Sequence, residues 1–122
     1  GSGTVLVVDD EAMVRAVTQR ILERAGFEVL TAEDGRAAIS IFREQRENIV
    51  AIILDMTMPH LDGDETFREL RRIDPDVRVI LTSGYSEQDT TERFVGRGLA
   101  GFLRKPSAPD EMIAIVRAAL DG

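Results

Sequence analysis

The stretch TVLVVDDEAM, Thr4 to Met13, sets four apolar residues, Val5 to Val8, directly against Asp9, Asp10 and Glu11. The apolar run is continuous rather than alternating, which is the pattern of a strand covered on both faces. The segment after the acids has helical spacing. Val14, Val17, Ile21 and Leu22 recur at three- and four-residue steps, Met13 and Ala16 fall off that stripe, and Gly26 is placed to end the helix. The chain therefore begins with a buried strand that ends in carboxylates and turns into a helix.

That unit recurs along the sequence. Further apolar runs at Phe27–Leu30, Ile49–Leu54, Val77–Leu81 and Gly101–Leu103 predict four more strands. Between them the spacing of Ala37, Ala38, Ile41 and Phe42 predicts a helix capped by Asp34, and Phe67, Leu70 and Ile73 predict one opened by the Asp62-Gly63-Asp64 turn and stopped before Pro75. A weaker helix is expected from about Ser86 to Val95, and a last one over Met112, Ile113, Val116, Ala119 and Leu120, with Pro109 or Asp110 at its start. Strand and helix alternate five times, so the fold class is α/β: a parallel sheet with right-handed crossovers and helices on both faces. With no internal linker or low-complexity tract, residues 4–121 read as one domain. The opening Gly1-Ser2-Gly3, which lacks a Met, reads as a linker or cloning remnant.

Composition narrows the function. The 122 residues are 43% hydrophobic and 30% charged, as in a globular domain. The net charge of −7 argues against nucleic acid and against anionic membrane surfaces, since both are bound by neutralising phosphates. The longest apolar run is too short to span a bilayer and there is no signal-peptide pattern, so a cytoplasmic location is expected. No cysteine is present, which excludes disulfide and thiolate chemistry.

In a parallel sheet every strand ends at the same edge, so the fold gathers the residues that terminate these runs. Asp9 and Asp10 end the first, Asp55 the third, Thr82 and Ser83 the fourth, and Lys105 the fifth. The residues do not set the strand order. With the 2-1-3-4-5 order common among doubly wound sheets, the ligand crevice lies between strands one and three, lined by Asp9, Asp10 and Asp55. Two like charges about 5 Å apart at an effective dielectric near 20 repel by about 3 kcal/mol. Helix-terminal acids favoured by the dipole would account for Asp9 and Asp10 but leave Asp55 and Lys105 unexplained. A divalent cation together with Lys105 balances the three carboxylates, and an all-oxygen donor set points to Mg2+ or Mn2+. His60 and the Asp62/Asp64 pair read as loop, turn and cap residues. The Gly96–Gly101 stretch matches a dinucleotide glycine motif but follows a helix and precedes a strand, the wrong way round for that role.

The set VVDDE, ILDMTMPHLDG, ILTSGY and FLRKP, in this order across the chain, resembles the receiver domain of bacterial two-component response regulators. The resemblance implies a flavodoxin-like (βα)5 sheet and a phosphoacceptor fed by a histidine kinase or a histidine phosphotransfer domain. It implies that Asp55 takes the phosphoryl group, that Asp9, Asp10, Asp55 and the Thr57 carbonyl hold Mg2+, and that Ser83 and Lys105 bind phosphoryl oxygens. It further implies a switch in which Ser83 moves toward the phosphoryl group and Phe102 fills the space left. That would alter the face made by the Ser86–Val95 helix, the fifth strand and the last helix, where a partner or second copy would bind.

Thr57 and Tyr85 border the path of a hydrolytic water, and neither is an acid or amide suited to orienting it, so self-dephosphorylation is expected to be slow. Catalysis would then be limited to the chain's own phosphorylation and dephosphorylation, although TSGYSEQ also resembles receivers attached to hybrid histidine kinases, which are enzymes. Two other classes stay open. A Mg2+-dependent phosphohydrolase would normally carry a second acid two residues after its nucleophile, where Thr57 stands. A degenerate receiver serving only as an interaction module would lack a site acid or the lysine, and none is missing.

Overall fold

Side chains alternate across a strand, so a continuous apolar run is stable only where both faces of a sheet are covered. Both faces are covered here. The computed structural model describes residues 3–56, 63–83, 99–104 and 108–121. Strands β1 (Thr4–Val8), β2 (Glu28–Ala32), β3 (Ile49–Asp55), β4 (Val79–Ser83) and β5 (Gly101–Arg104) form one five-stranded sheet in the order β2-β1-β3-β4-β5. Every pairing is parallel. The described helices are α1 (Ala12–Arg24), α2 (Gly35–Gln45), α3 (Gly63–Ile73) and α4 (Pro109–Asp121). The helix expected between Ser86 and Val95 lies outside the described residues. Among those described, no helix is long and apolar enough to cross a membrane.

The sheet separates two cores. Leu6, Val8, Ile52, Leu54, Val79 and Leu81 point to one side and pack with Phe42 of α2 and with Phe67 and Leu70 of α3. Val5, Val7, Ile53, Ile80 and Leu103 point to the other, against Leu22, Phe27 and, from α4, Met112 and Val116. The sheet is thus wound on both faces.

Local chemistry sets the element ends. Gly26 takes φ +98°, and its N–H donates to the Glu23 carbonyl (3.1 Å) while that of Phe27 reaches back to Leu22 (3.1 Å). This is the paired bond of a Schellman stop, with Phe27 and Leu22 supplying its apolar contact. Phe27 therefore belongs to the cap and β2 begins one residue later. Asp34 caps α2 as predicted, accepting from the Ala37 N–H at 2.9 Å. β4 starts at Val79 rather than Val77, because the Val77 N–H is used in a turn to the Asp74 carbonyl (3.1 Å).

The buried stripe of α1 departs from the apolar spacing. Thr18 and Leu22 face the sheet, whereas Val17, expected on the stripe, is 56% exposed. One residue is a rotation of about 100°, and the helix is turned so that Thr18 and Leu22 are buried, Ile21 packs partly against the core and Val17 is left exposed.

Phe42 is 1% exposed and among the largest fully buried side chains. Replacing it with Ala should lower unfolding free energy by about 3–5 kcal/mol, read from the midpoint of a urea titration at unchanged slope.

Candidate functional site

Register brings the acids together. Val8 of β1 lies opposite Leu54 of β3, so Asp9 and Asp55, the next residue in each chain direction, stand level on adjacent strands. Asp55 is itself paired with Thr82 of β4, and the Met56 N–H donates to the Thr82 carbonyl at 3.0 Å. On the other side the Asp9 N–H donates to the Ala32 carbonyl of β2 at 3.1 Å. Strands β2 and β4, flanking β1 and β3, thus hold the main chain on which two of the carboxylates sit.

Asp9 and Asp55 are buried, at 4% and 1% exposure, and Asp10 is exposed. One carboxylate oxygen from each of the three lies within 4.8 Å of the others. Oxygen ligands about 2.1 Å from one hexacoordinate cation stand about 3–4 Å apart. Small torsions of the carboxylates, or one intervening water, cover the difference. Among the described residues the donor set is all carboxylate, with no nitrogen or sulfur ligand in the cluster. It fits a hard divalent cation.

The turn from β1 into α1 is held by the site itself. Glu11 is the N-cap, with extended backbone and no bond from its own side chain. Its N–H instead donates to Asp9 Oδ1 at 2.9 Å, an Asx turn. Arg15 Nη1 donates to the Asp9 carbonyl at 2.6 Å.

On the far side of Asp55, the Gly63 N–H at the start of α3 donates to the Met56 carbonyl at 3.3 Å. A Cβ on Gly63 would lie 2.7 Å from Met56 Cα and 3.0 Å from the Asp55 carbonyl oxygen. The sequence reads Gly63 as a turn residue; its structural role is this close approach of helix to strand end.

Of the residues singled out from sequence, Asp9, Asp10 and Asp55 converge. Phe102 lies on β5 opposite Leu81, half-buried against the core on the α2–α3 side. Thr57, Tyr85, Lys105 and the hydroxyl of Ser83 lie outside the described residues. Gly63 and Arg15 were not legible as site residues. The signal for Arg15 is a cation in the first turn of a helix that comes after an acid cluster.

An apolar groove of about 460 Å³ is bounded by Met13, Val14, Val17 and Ile21 of α1 and by Met112 of α4, with Asp9 among its lining residues. Met13 is 82% exposed on its rim.

The model of the response regulator receiver domain matches residues 5–117. The chain belongs to this receiver family. The receiver is 41% identical over 119 residues to the transcriptional regulatory protein PrrA of Mycobacterium tuberculosis, which covers 98% of the receiver and 50% of PrrA. It is 35% identical over 121 residues to the sensor kinase CckA of Brucella abortus, covering 99% of the receiver and 13% of the kinase. The chain thus spans half or less of these two relatives. Among solved structures it matches the CheX–CheY–BeF3–Mg2+ complex from Borrelia burgdorferi at a TM-score of 0.87 and 30% identity, over 95% of the receiver and 87% of the matched chain.

The Gly63 contact has a measurable consequence. Gly63→Ala should lower stability by about 1–3 kcal/mol, since the clash is with backbone. Gly101→Ala, whose Cβ would meet the movable Ile115 Cγ2 at 3.0 Å, should cost less. Chemical denaturation of the two variants in parallel gives the comparison.

Proposed function

We propose that this receiver accepts a phosphoryl group on Asp55 from the phosphohistidine of a histidine kinase or histidine phosphotransfer domain, and that its acid cluster binds Mg2+ or Mn2+ to make this possible. The carrying observation is that the Asp9, Asp10 and Asp55 carboxylates approach within 4.8 Å at the strand ends. An oxygen of Asp55 attacks phosphorus, the new O–P bond forming as the N–P bond of the donor breaks and the imidazole leaves. The transition state is loose, with charge on the peripheral oxygens, so the site must chiefly align and neutralise. The cation, held by Asp9, Asp10, Asp55 and the Thr57 carbonyl, supplies positive charge to those oxygens when bound. Ser83 and Lys105 are proposed to bind the remaining ones. That the related CheY complex contains BeF3 and Mg2+ supports this reading.

The apolar groove supports α1 as the docking contact for the donor, because exposed Met13 and Val17 line it together with Asp9. Phe102, half-buried on β5, is the proposed switch residue. Its rearrangement with Ser83 would alter the surface around β5 and α4 offered to a partner or second copy, as a shift between existing populations. Service in a cytoplasmic phosphorelay is the proposed setting, with residues 4–121 as the acting unit.

Mass spectrometry after incubation with a small-molecule phosphodonor and Mg2+ tests the central claim. One phosphoryl adduct is expected, absent in Asp55→Asn and absent when the metal is chelated. Phosphate release without an adduct would indicate a phosphohydrolase, and no reaction would indicate an interaction module. With Thr57 and Tyr85 unable to orient water as an acid or amide would, the adduct should persist for minutes. Decay within seconds, accompanied by phosphate release, would contradict that assignment.

A further inference from the structure

We propose that Arg15 is a positioning residue for the acid site, holding the Asp9 carbonyl and thereby fixing how Asp9 and Asp10 present their carboxylates. The inference rests on the reading of Asp9, Asp10 and Asp55 as a divalent-cation site.

Arg15 stands in the first turn of α1, half-buried, with Nη1 2.6 Å from the Asp9 carbonyl oxygen. A cation is disfavoured there by the helix dipole, whose positive end is the N-terminus. α3 opens with Asp64 and Glu65 and α4 with Asp110 and Glu111, whereas α1 and α2 have no acid in the first turn and α2 carries Arg36 there. Arg15 is therefore placed against local helix electrostatics, and what it gains is a charge-assisted bond to the peptide that joins the first two acids.

That bond acts on Asp9 together with two others. The others are the Asp9 N–H to the Ala32 carbonyl (3.1 Å) and the Glu11 N–H to Asp9 Oδ1 (2.9 Å). The partner groups at positions 32 and 11 are main chain, which almost any residue would supply. The third attachment depends on the side chain at position 15. It acts on the Asp9–Asp10 peptide plane, whose rotation swings the exposed Asp10. A swing of about 1 Å is several times the roughly 0.2 Å within which metal–ligand distances must fall. Arg15 thus confers on a solvent-exposed ligand the precision that burial gives Asp9 and Asp55.

Its positive charge has the opposite tendency, since a cation beside the site repels a metal ion. The two roles predict opposite signs. Free Mn2+ would be monitored by electron paramagnetic resonance in titrations of the whole chain, wild type and variant. Amide hydrogen exchange and thermal melting would be measured without metal. Positioning requires Arg15→Ala to weaken Mn2+ binding by about tenfold, to speed exchange at Asp10 and Glu11, and to leave the metal-free Tm near wild type. Arg15→Lys should recover much of the affinity, because its ammonium can donate to the same carbonyl.

Unchanged or tighter Mn2+ binding by Arg15→Ala would overturn the proposal, tighter binding marking Arg15 as a repelling charge alone. Should Arg15→Ala fail to fold, Arg15→Met, which keeps an apolar stem and has no donor for the Asp9 carbonyl, is held to the same criterion. Absence of Mn2+ binding by the wild type would instead overturn the cation site, and the clamp with it. Normal wild-type binding with an unaltered variant overturns the clamp alone.

Discussion

Parallel pairing of β1 with β3, in the register that sets Val8 against Leu54, is the constraint on which the site depends. It puts Asp9 and Asp55 side by side at the sheet edge although they are far apart in sequence. A slip of one residue would turn Val5, Val7, Ile53 and their neighbours to the wrong faces, so the two cores defend the register. The mutual repulsion of the carboxylates is thereby opposed by burial of apolar side chains far from the edge. A solvated loop could not hold like charges together in this way.

Much of this was legible in the residues. A continuous apolar run cannot be stable with one face in water, so Val5–Val8 and Ile49–Leu54 announce a sheet covered on both sides. The parallel arrangement comes from alternation with helices, and the convergence of Asp9, Asp10 and Asp55 comes from that arrangement. Strand order does not. It depends on which edges pair, and local pattern carries no record of that choice; the observed order is the 2-1-3-4-5 order common among doubly wound sheets.

The failures have physical causes too. Periodicity identifies an apolar stripe but not the rotation of the helix about its axis, which is how Val17 came to be exposed and Thr18 buried. An isolated glycine in a turn motif says nothing about what approaches it, so the contact of Gly63 with Asp55 and Met56 appears only once α3 is docked. A charged residue on a helix is ordinarily solvated, so sequence alone does not distinguish Arg15, whose bond to Asp9 depends on how the β1–α1 turn folds back.

The packing of Gly63 bears on how a change at Asp55 is felt elsewhere. With no Cβ between them, the first turn of α3 rests on the main chain of Asp55 and Met56, and Phe67 and Leu70 anchor that helix in the core. Strand end and helix are therefore in direct backbone contact, with no side chain between them to yield. Were Asp55 modified as proposed, a shift of its main chain toward α3 would be sterically opposed on this flank.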